Sequence, residues 1–525
     1  METQQLINQL AQILGAEHVI TDEAELRYFS QDVFSEATPP VLVAQPANIE
    51  QLAATVKLAT DANYAIIPRG GGASYTLGYV NEIENAVLFD LSRMDKVVEV
   101  NLEDMYVTVE AGCRWESLHK ALRDTPFTTP MWGTLSGLTA TVGGGMSQNS
   151  VFFGTGLHGT AADSVIGMEV VLANGDIIKT GSGAQKNSLP FLRHFGPDLT
   201  NLFTGDNGAL GIKGKITLRL IARLAVHRHA SFDFPDYESA LSVMAQIARE
   251  GLASECFGFD PFLQQQRMKR ESLVKDVQTL GKVISGSRSL LGGLKSALEI
   301  MLAGRHYMKN VRYSLHVTMP HKNHIGAWQA ERRVTQLAKR AGARKIANSI
   351  PKIMHANPFM PLNTMVGPQG ERWVPVHGIV PHSKAQQTIE ALEALYEKEK
   401  SLTDEMQIGI GCLFMSVGPS ATLLEPVFFW PDKLFDFHHR HVEKAVLDQL
   451  TPAPENKPAY EAVQRLRAAA IDVLAEHGAV HFQLGRLYPY KQMLNEENFA
   501  FLKQVKNTLD PHGRMNPGVL GLGLD

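Results

Sequence analysis

The residues Pro68, Arg69, Gly70, Gly71, Gly72, Ala73 and Ser74 follow directly on the strand-like run Tyr64-Ala65-Ile66-Ile67. Three consecutive residues without side chains let successive main-chain N–H groups converge on one anion and let the backbone approach a pyrophosphate closely. Arg69 adds charge beside them, although a plain glycine turn in isolation has the same signature. A second cluster, Thr139-Ala140-Thr141-Val142-Gly143-Gly144-Gly145, is followed by Asn149, Gly154, Gly156 and His158-Gly159. Two glycine-lined walls about seventy residues apart suit a long, flat, extended cofactor. The first is not the dinucleotide fingerprint G-x-G-x-x-G. After Gly72 the third glycine is missing at its proper spacing and no clear helix follows.

Further candidates come from local chemistry. His377, in the strand-like run Trp373–Gly378, carries one imidazole that could face a pocket or rest hydrogen-bonded in the core. His481 beside Phe482 has the same two readings. Arg486, with Tyr488 and Tyr490 close behind, could hold a carboxylate through both arms of its guanidinium, or lie on the surface. The run Phe437-His438-His439-Arg440-His441 reads as a helix face and not a metal site, because i, i+1 and i+3 do not converge on one point.

The elements that must position these residues change texture along the chain. From Val41 to about Leu220, β-rich runs (VLVAQP, YAII, AVLFDLS, MYVTVEAG) alternate with a helical one, IEQLAATVKLATDAN, and Asn174-Gly175 marks a hairpin turn. Beyond Arg223 come long charged amphipathic stretches such as YESALSVMAQIARE, interrupted by β-like runs RYSLHVTM and RWVPVHGIV. A helix from Glu497 should stop at Asp510, ahead of Pro511. The boundaries implied are 1–222, 223–478 and 479–525.

Composition bounds the function. With 525 residues, 44% of them hydrophobic, the chain exceeds the size of one core. The formal charge of −4, from 50 basic and 54 acidic residues, argues against a nucleic-acid partner. Three scattered cysteines, Cys113, Cys256 and Cys412, form no zinc or disulfide pattern and fit a reducing, cytoplasmic setting. The N-terminal run reads as an amphipathic helix, and no apolar run approaches the roughly 20 residues of a membrane span. The basic amphipathic stretch Val283–Lys309 reads first as a cap-lobe helix, and second as a peripheral contact with a membrane or a partner.

The order of these segments resembles the FAD-linked oxidases of the vanillyl-alcohol oxidase and p-cresol methylhydroxylase (PCMH) superfamily. The matched pieces are PRGGGAS, FDLSRMDKVVEVNLEDMYVTVEAG, TVGGG, GMEVVLANGDIIKTGSGA, LFTGDNGALGIKGKITLRL and the tail LDPHGRMNPG. The resemblance implies an α+β fold: a two-part PCMH-type FAD-binding domain, completed by the C-terminus, and an α+β cap that covers the flavin. It assigns Arg69 to Ser74 to the pyrophosphate loop. Ser136, Thr141, Gly143, Gly144, Asn149, His158 and Gly159 would line the other wall, with Asn516 closing against the flavin. Covalent relatives carry a histidine where this chain has Ala73, or in the cap near Thr422 and Leu423, so the FAD is expected to be non-covalent. The Tyr-Arg pair that binds phenolate in relatives is replaced by Phe482-Gln483, and the histidine-rich motif of metal-dependent hydroxy-acid dehydrogenases is missing.

The resemblance thus implies hydride transfer from a CH–OH carbon to flavin N5. A small 2-hydroxy acid comes first, with Arg486 on its carboxylate and His377 or His481 as base. A neutral aromatic or aliphatic alcohol, and a flavin-binding protein without catalysis, are the alternatives. The electron acceptor (oxygen, quinone or cytochrome) and the oligomeric state, a homo-oligomer included, are not encoded in any motif.

Overall fold

The computed structural model describes residues 2–271 and 311–523, so the stretch Val283–Lys309 lies outside the described residues. The chain forms two compact units. One comprises Met1–Val151, Thr160–Arg223 and Phe482–Asp525, and the other Phe152–Gly159 and Leu224–His481.

In the first unit, Asn48 starts the helix Ile49–Asp61 by accepting from Gln51 N, and Ile49, Leu52, Val56 and Ala59 then recur on one buried face. This helix links strand Leu42–Ala44 to strand Ala65–Arg69, and both pair in parallel with Ala86–Asp90. Ala86–Asp90 is buried at every position, as a central parallel strand covered on both faces must be. Val19–Ile20 adds an antiparallel edge. The second sheet has five antiparallel strands in the order Val97–Asn101, Tyr106–Glu110, Ile212–Arg219, Val165–Val171, Ile177–Lys179. Between its last two strands Gly175 adopts φ +82°, the turn that Asn174-Gly175 implies. The N-terminal helix Thr3–Leu14 is amphipathic as expected, burying Leu6, Leu10 and Leu14.

The C-terminal helix Glu496–Leu509 ends at Asp510. The tail beyond it runs alongside Ala65–Arg69, where Ile66 N donates to Arg514 O and Asn516 N to Ile66 O, both at 2.8 Å. Buried Lys506 secures it, reaching Asp510 Oδ2 at 2.5 Å, Ala209 O at 2.7 Å and Met515 O at 2.8 Å. A buried ammonium is tolerated when each of its three donors is met.

The second unit is built on one antiparallel sheet of eight strands. Its path runs Arg344–Ile346, Val226–Phe234, Tyr313–His321, Glu255–Phe259, Gly409–Val417, Ala421–Trp430 and Arg372–Pro375, with Gly378–Pro381 also paired to Ala421–Trp430. The run expected as one strand through His377 is therefore two. Pro375 closes the first piece, and the ladder resumes only at Gly378, which leaves the His377 carbonyl outside it. Helices Tyr237–Arg249 and Lys457–Glu476 bury one face each.

Candidate functional site

The first glycine wall begins where strand Ala65–Arg69 ends. Among the described residues, the main-chain N–H groups of Gly70, Gly71, Gly72, Ala73 and Ser74 donate to no protein acceptor. Gly72 is buried and the other four are half-buried. A run of five N–H groups without protein acceptors suits a phosphate, whose oxygens can be shared among them. Gly72 holds φ +74°, which a side chain would resist.

The two walls adjoin. A Cβ on Gly70 would lie 2.4 Å from Thr141 Oγ1, and one on Gly71 only 1.8 Å from Thr139 O. Glycine is thus needed here for the contact between the walls as well as for access to a ligand. The second wall satisfies its own main chain: Gly144 N donates to Thr141 Oγ1 at 3.1 Å, Gly143 N to Ala111 O at 2.9 Å, and Thr139 N to Ser136 O at 2.8 Å. Its contribution is shape. Beyond its own helix and among the described residues, Gly144 has only Thr141 Oγ1 within 4 Å of its Cβ position, whereas Gly143 faces Ala111, so Gly144 and not Gly143 borders open space. Ser136 is half-buried with Oγ 3.0 Å from Thr134 Oγ1. Asn149, at φ +49°, accepts from Ala162 N at 3.1 Å. Pro68 backs the loop against Gly208, whose Cβ position lies 2.4 Å from its ring.

Three expectations change. Arg69 turns inward: its guanidinium stacks 4.8 Å from Phe29 and 5.3 Å from both Tyr28 and Tyr79, and Nη2 donates to Tyr28 Oη at 3.2 Å. Burial opposes its charge, but Tyr79, Tyr28 and Asp90 more than offset that and hold its pKa above the ordinary value. It props the loop from behind. Arg486 cannot anchor a substrate carboxylate, because its donors are spent on the protein. Nε and Nη2 reach Pro517 O at 3.1 and 2.7 Å, Nη1 reaches Leu77, Gly78 and Val80 carbonyls at 2.8, 3.4 and 3.3 Å, and Nη2 also reaches Asn516 Oδ1 at 2.7 Å. Burial pushes its pKa down to about 10. Asn516 likewise commits its amide, donating to Gly78 O at 2.9 Å and Asn207 O at 2.6 Å, so its side chain braces the loops and is not offered to a ligand.

In the second unit, His481 and His377 come together: His481 Nδ1 lies 2.7 Å from the His377 carbonyl oxygen. A carbonyl only accepts, so Nδ1 carries the proton and Nε2 the lone pair of a base. Burial lowers the pKa of His481, opposed by that hydrogen bond, so the ring is neutral at neutral pH. His377 is fully buried. His158 and Gly159 also belong to this unit, ending the short helix Thr155–His158, with Gly159 at φ +80°. His438 caps the start of its own helix, Asp436–His441, Nδ1 accepting from Phe435 N at 3.1 Å. Among the described residues no three His, Cys, Asp or Glu side chains gather as metal ligands. Glu255 belongs to no motif, and its one signal in the sequence is an acid directly ahead of the apolar run Cys256-Phe257-Gly258-Phe259. It is buried and accepts from Gly154 N.

A unit closed by its own C-terminus carries a run of N–H groups suited to an anion, and similarity to known proteins makes the anion specific. Residues 40–181 match the FAD binding domain, and residues 454–520 the C-terminal domain of FAD linked oxidases. Over these residues the chain is similar to the FAD-linked oxidases, and FAD is the cofactor that the matched domain binds. It is 33% identical over 254 residues to a probable mitochondrial D-lactate dehydrogenase of Danio rerio (47% of this chain, 49% of the relative). It is 28% identical over 251 residues to a D-2-hydroxyglutarate dehydrogenase of Xanthomonas citri pv. viticola (48% and 51%). These matches span about half the length of the curated relatives. The fold superposes on p-cresol methylhydroxylase with substrate bound at TM-score 0.74 and 15% identity, covering 99% of this chain and 96% of that one.

Proposed function

We propose that this protein is an FAD-dependent dehydrogenase or oxidase that removes a hydride from the CH–OH carbon of a small 2-hydroxy acid. The observation that carries the reading is the run of five unmet N–H groups at Gly70–Ser74, which fits the FAD pyrophosphate. The hydroxy-acid choice is supported by the D-lactate and D-2-hydroxyglutarate dehydrogenases among its relatives. Bound flavin supplies the two-electron acceptor. His481 takes the hydroxyl proton at Nε2, held in the right tautomer by the His377 carbonyl. The FAD is held without a covalent bond: residue 73 is alanine, Leu423 offers no nucleophile, and Thr422 is buried with its hydroxyl 2.8 Å from His382 Nδ1. The test is anaerobic mixing of the purified flavoprotein with D- and L-hydroxy acids and with neutral alcohols, following loss of the oxidised flavin absorbance. Bleaching by a hydroxy acid supports the reading. Bleaching by alcohols alone moves the substrate to the neutral class, and no bleaching by either class removes the catalytic assignment.

A further inference from the structure

Arg69 is a buried cation with too few partners. Its one hydrogen bond among the described residues is from Nη2 to Tyr28 Oη, Nε meets no acceptor, and no carboxylate forms an ion pair with it. Asp90, whose charge reaches it, spends both oxygens on Gln45 and Ser92. A guanidinium keeps its proton in a protein, so it cannot escape the cost of burial by becoming neutral. The faces of Tyr28, Phe29 and Tyr79 offset part of that cost. The fold alone leaves the rest uncompensated.

The guanidinium lies where an anion would supply the missing charge. A Cβ on Gly72 would be 2.2 Å from Nη2 and 2.7 Å from Cζ, so the cation packs directly against the middle of the five-residue run whose N–H groups meet no protein acceptor. Glycine at 72 is what lets it come so close. The cage is tied to the same residue, since Tyr79 Oη lies 2.7 Å from the Gly72 carbonyl oxygen. Every one of these residues belongs to the first unit. We infer that Arg69 is the counter-charge of the anion in this cradle: across Gly72 it balances the FAD pyrophosphate, while the N–H groups supply the direct hydrogen bonds. The inference rests on the reading that the cradle holds that pyrophosphate. Arg69 is then a positioning residue, and its charge matters more than the shape of its side chain. It costs stability while the cradle is empty and contributes to binding once the anion is in place.

The experiment uses the full chain in four forms: wild type, Arg69→Lys, Arg69→Met and Arg69→Gln. It reads the FAD dissociation constant, the thermal midpoint with and without FAD, and the phosphorus NMR resonances of the bound pyrophosphate. Arg69→Met leaves a flexible apolar chain among the three rings and removes the charge. FAD should bind roughly tenfold or more weakly, as loss of one opposite charge in a poorly screened site implies, while the FAD-free midpoint holds or rises. Arg69→Lys keeps the charge and should stay close to wild type in affinity and in the phosphorus resonances. Arg69→Gln, neutral but able to donate to Tyr28, should share the FAD loss and the shifted resonances, and it carries the test should Arg69→Met not fold. Wild-type FAD affinity in the neutral variants, equal losses in Arg69→Lys and Arg69→Gln, or a folded Arg69→Met whose FAD-free midpoint drops along with its affinity would each overturn the inference alone and leave Arg69 a prop. Wild-type protein unable to take up FAD would overturn the cofactor reading, and this inference with it.

Discussion

Arg486 Nη2 donates to Asn516 Oδ1 at 2.7 Å, and Asn516 in turn donates to Gly78 O and Asn207 O. The pair ties three stretches of the first unit, the 76–80 loop, the 204–210 loop and the C-terminal tail, into one buried polar junction. Asn516 holds φ +40°, a left-handed conformation that asparagine tolerates better than most residues. The junction adjoins the loop that begins with the five unmet N–H groups, so its loss should reach the cofactor before it reaches the substrate.

Arg486→Ala should therefore lower the thermal midpoint and weaken FAD binding, without selecting between hydroxy acids and neutral alcohols. Hydrogen bonds from a charged group contribute about 1.5–3 kcal/mol, and the stranded carbonyls of Leu77 and Pro517 add to the cost. Arg486→Lys should recover only part of this, because one ammonium cannot reach acceptors that surround a planar fork. Scanning calorimetry and FAD titration check the first claim, and the ratio of flavin reduction rates for the two substrate classes the second. A selective loss for hydroxy acids would restore Arg486 as a substrate anchor.

Much of the first unit was legible because its signals are local. The period of Ile49, Leu52, Val56 and Ala59, the Asn174-Gly175 turn and the stop at Asp510-Pro511 each follow from nearest-neighbour chemistry. The role of Arg486 was not, since its partners are mainly main-chain carbonyls, which every residue carries and no motif marks. The aromatic cage of Arg69 draws on Tyr28, Phe29 and Tyr79, and only folding brings the first two beside the glycine loop. The glycine clusters suggested close approach to a ligand, and what the structure adds is close approach of chain to chain: Gly71 lies against Thr139 and Gly143 against Ala111, while Gly144 borders open space.

That difference separates two substitutions. Gly71→Val should destabilise the first unit as well as abolish FAD binding, because any Cβ there meets the Thr139 carbonyl at 1.8 Å. Gly144→Ala meets only a hydroxyl at 3.1 Å and should leave the fold intact while reducing FAD occupancy. Flavin-to-protein absorbance ratios together with the thermal midpoint tell the two apart. Full occupancy in Gly144→Ala would show that FAD does not lie along that face.

Acid precipitation should release all of the FAD into the supernatant, as expected where residues 73, 422 and 423 are alanine, threonine and leucine. Yellow colour retained in a washed pellet would show a covalent link at some other residue.

Two buried carboxyls give the second unit an unusual pH dependence. Burial pushes Glu255 up to about 7, against hydrogen bonds from Ser254, Gly154 and Thr318, and it pushes Asp260 up to about 7 as well. Below the ordinary carboxyl range both folded and unfolded chains are protonated, and neither group matters. Between that range and pH about 7 the unfolded chain ionises while the folded one keeps its proton, so stability falls as pH rises, and the loss is complete above the folded pKa. For Glu255 the full effect is about 3 kcal/mol. Histidines of the same unit, His229, His355, His438 and His481 among them, act in the opposite sense because burial lowers their pKa, so the prediction concerns the difference between two proteins: from pH 5 to pH 8 wild type should lose stability relative to Glu255→Gln in urea unfolding. The same pH dependence in both proteins would mean that the Glu255 pKa is not raised by folding.

His481→Gln tests the base directly. Glutamine keeps a donor toward the His377 carbonyl but has no group that takes a proton at neutral pH, so FAD should bind normally while flavin reduction by the substrate slows about 10²- to 10⁴-fold. In wild type, only the neutral imidazole accepts the hydroxyl proton. Because burial lowers the His481 pKa, the reduction rate should be level through neutral pH and fall only as pH drops below the usual imidazole range. His377→Gln provides the contrast: its contribution through the main-chain carbonyl survives substitution, so the rate should fall far less than in His481→Gln, apart from any cost of altering a fully buried side chain. Stopped-flow reduction under anaerobic conditions across pH measures all three proteins. If the acid limb persists in His481→Gln at an undiminished rate, the proton goes to another group and His481 is a structural histidine.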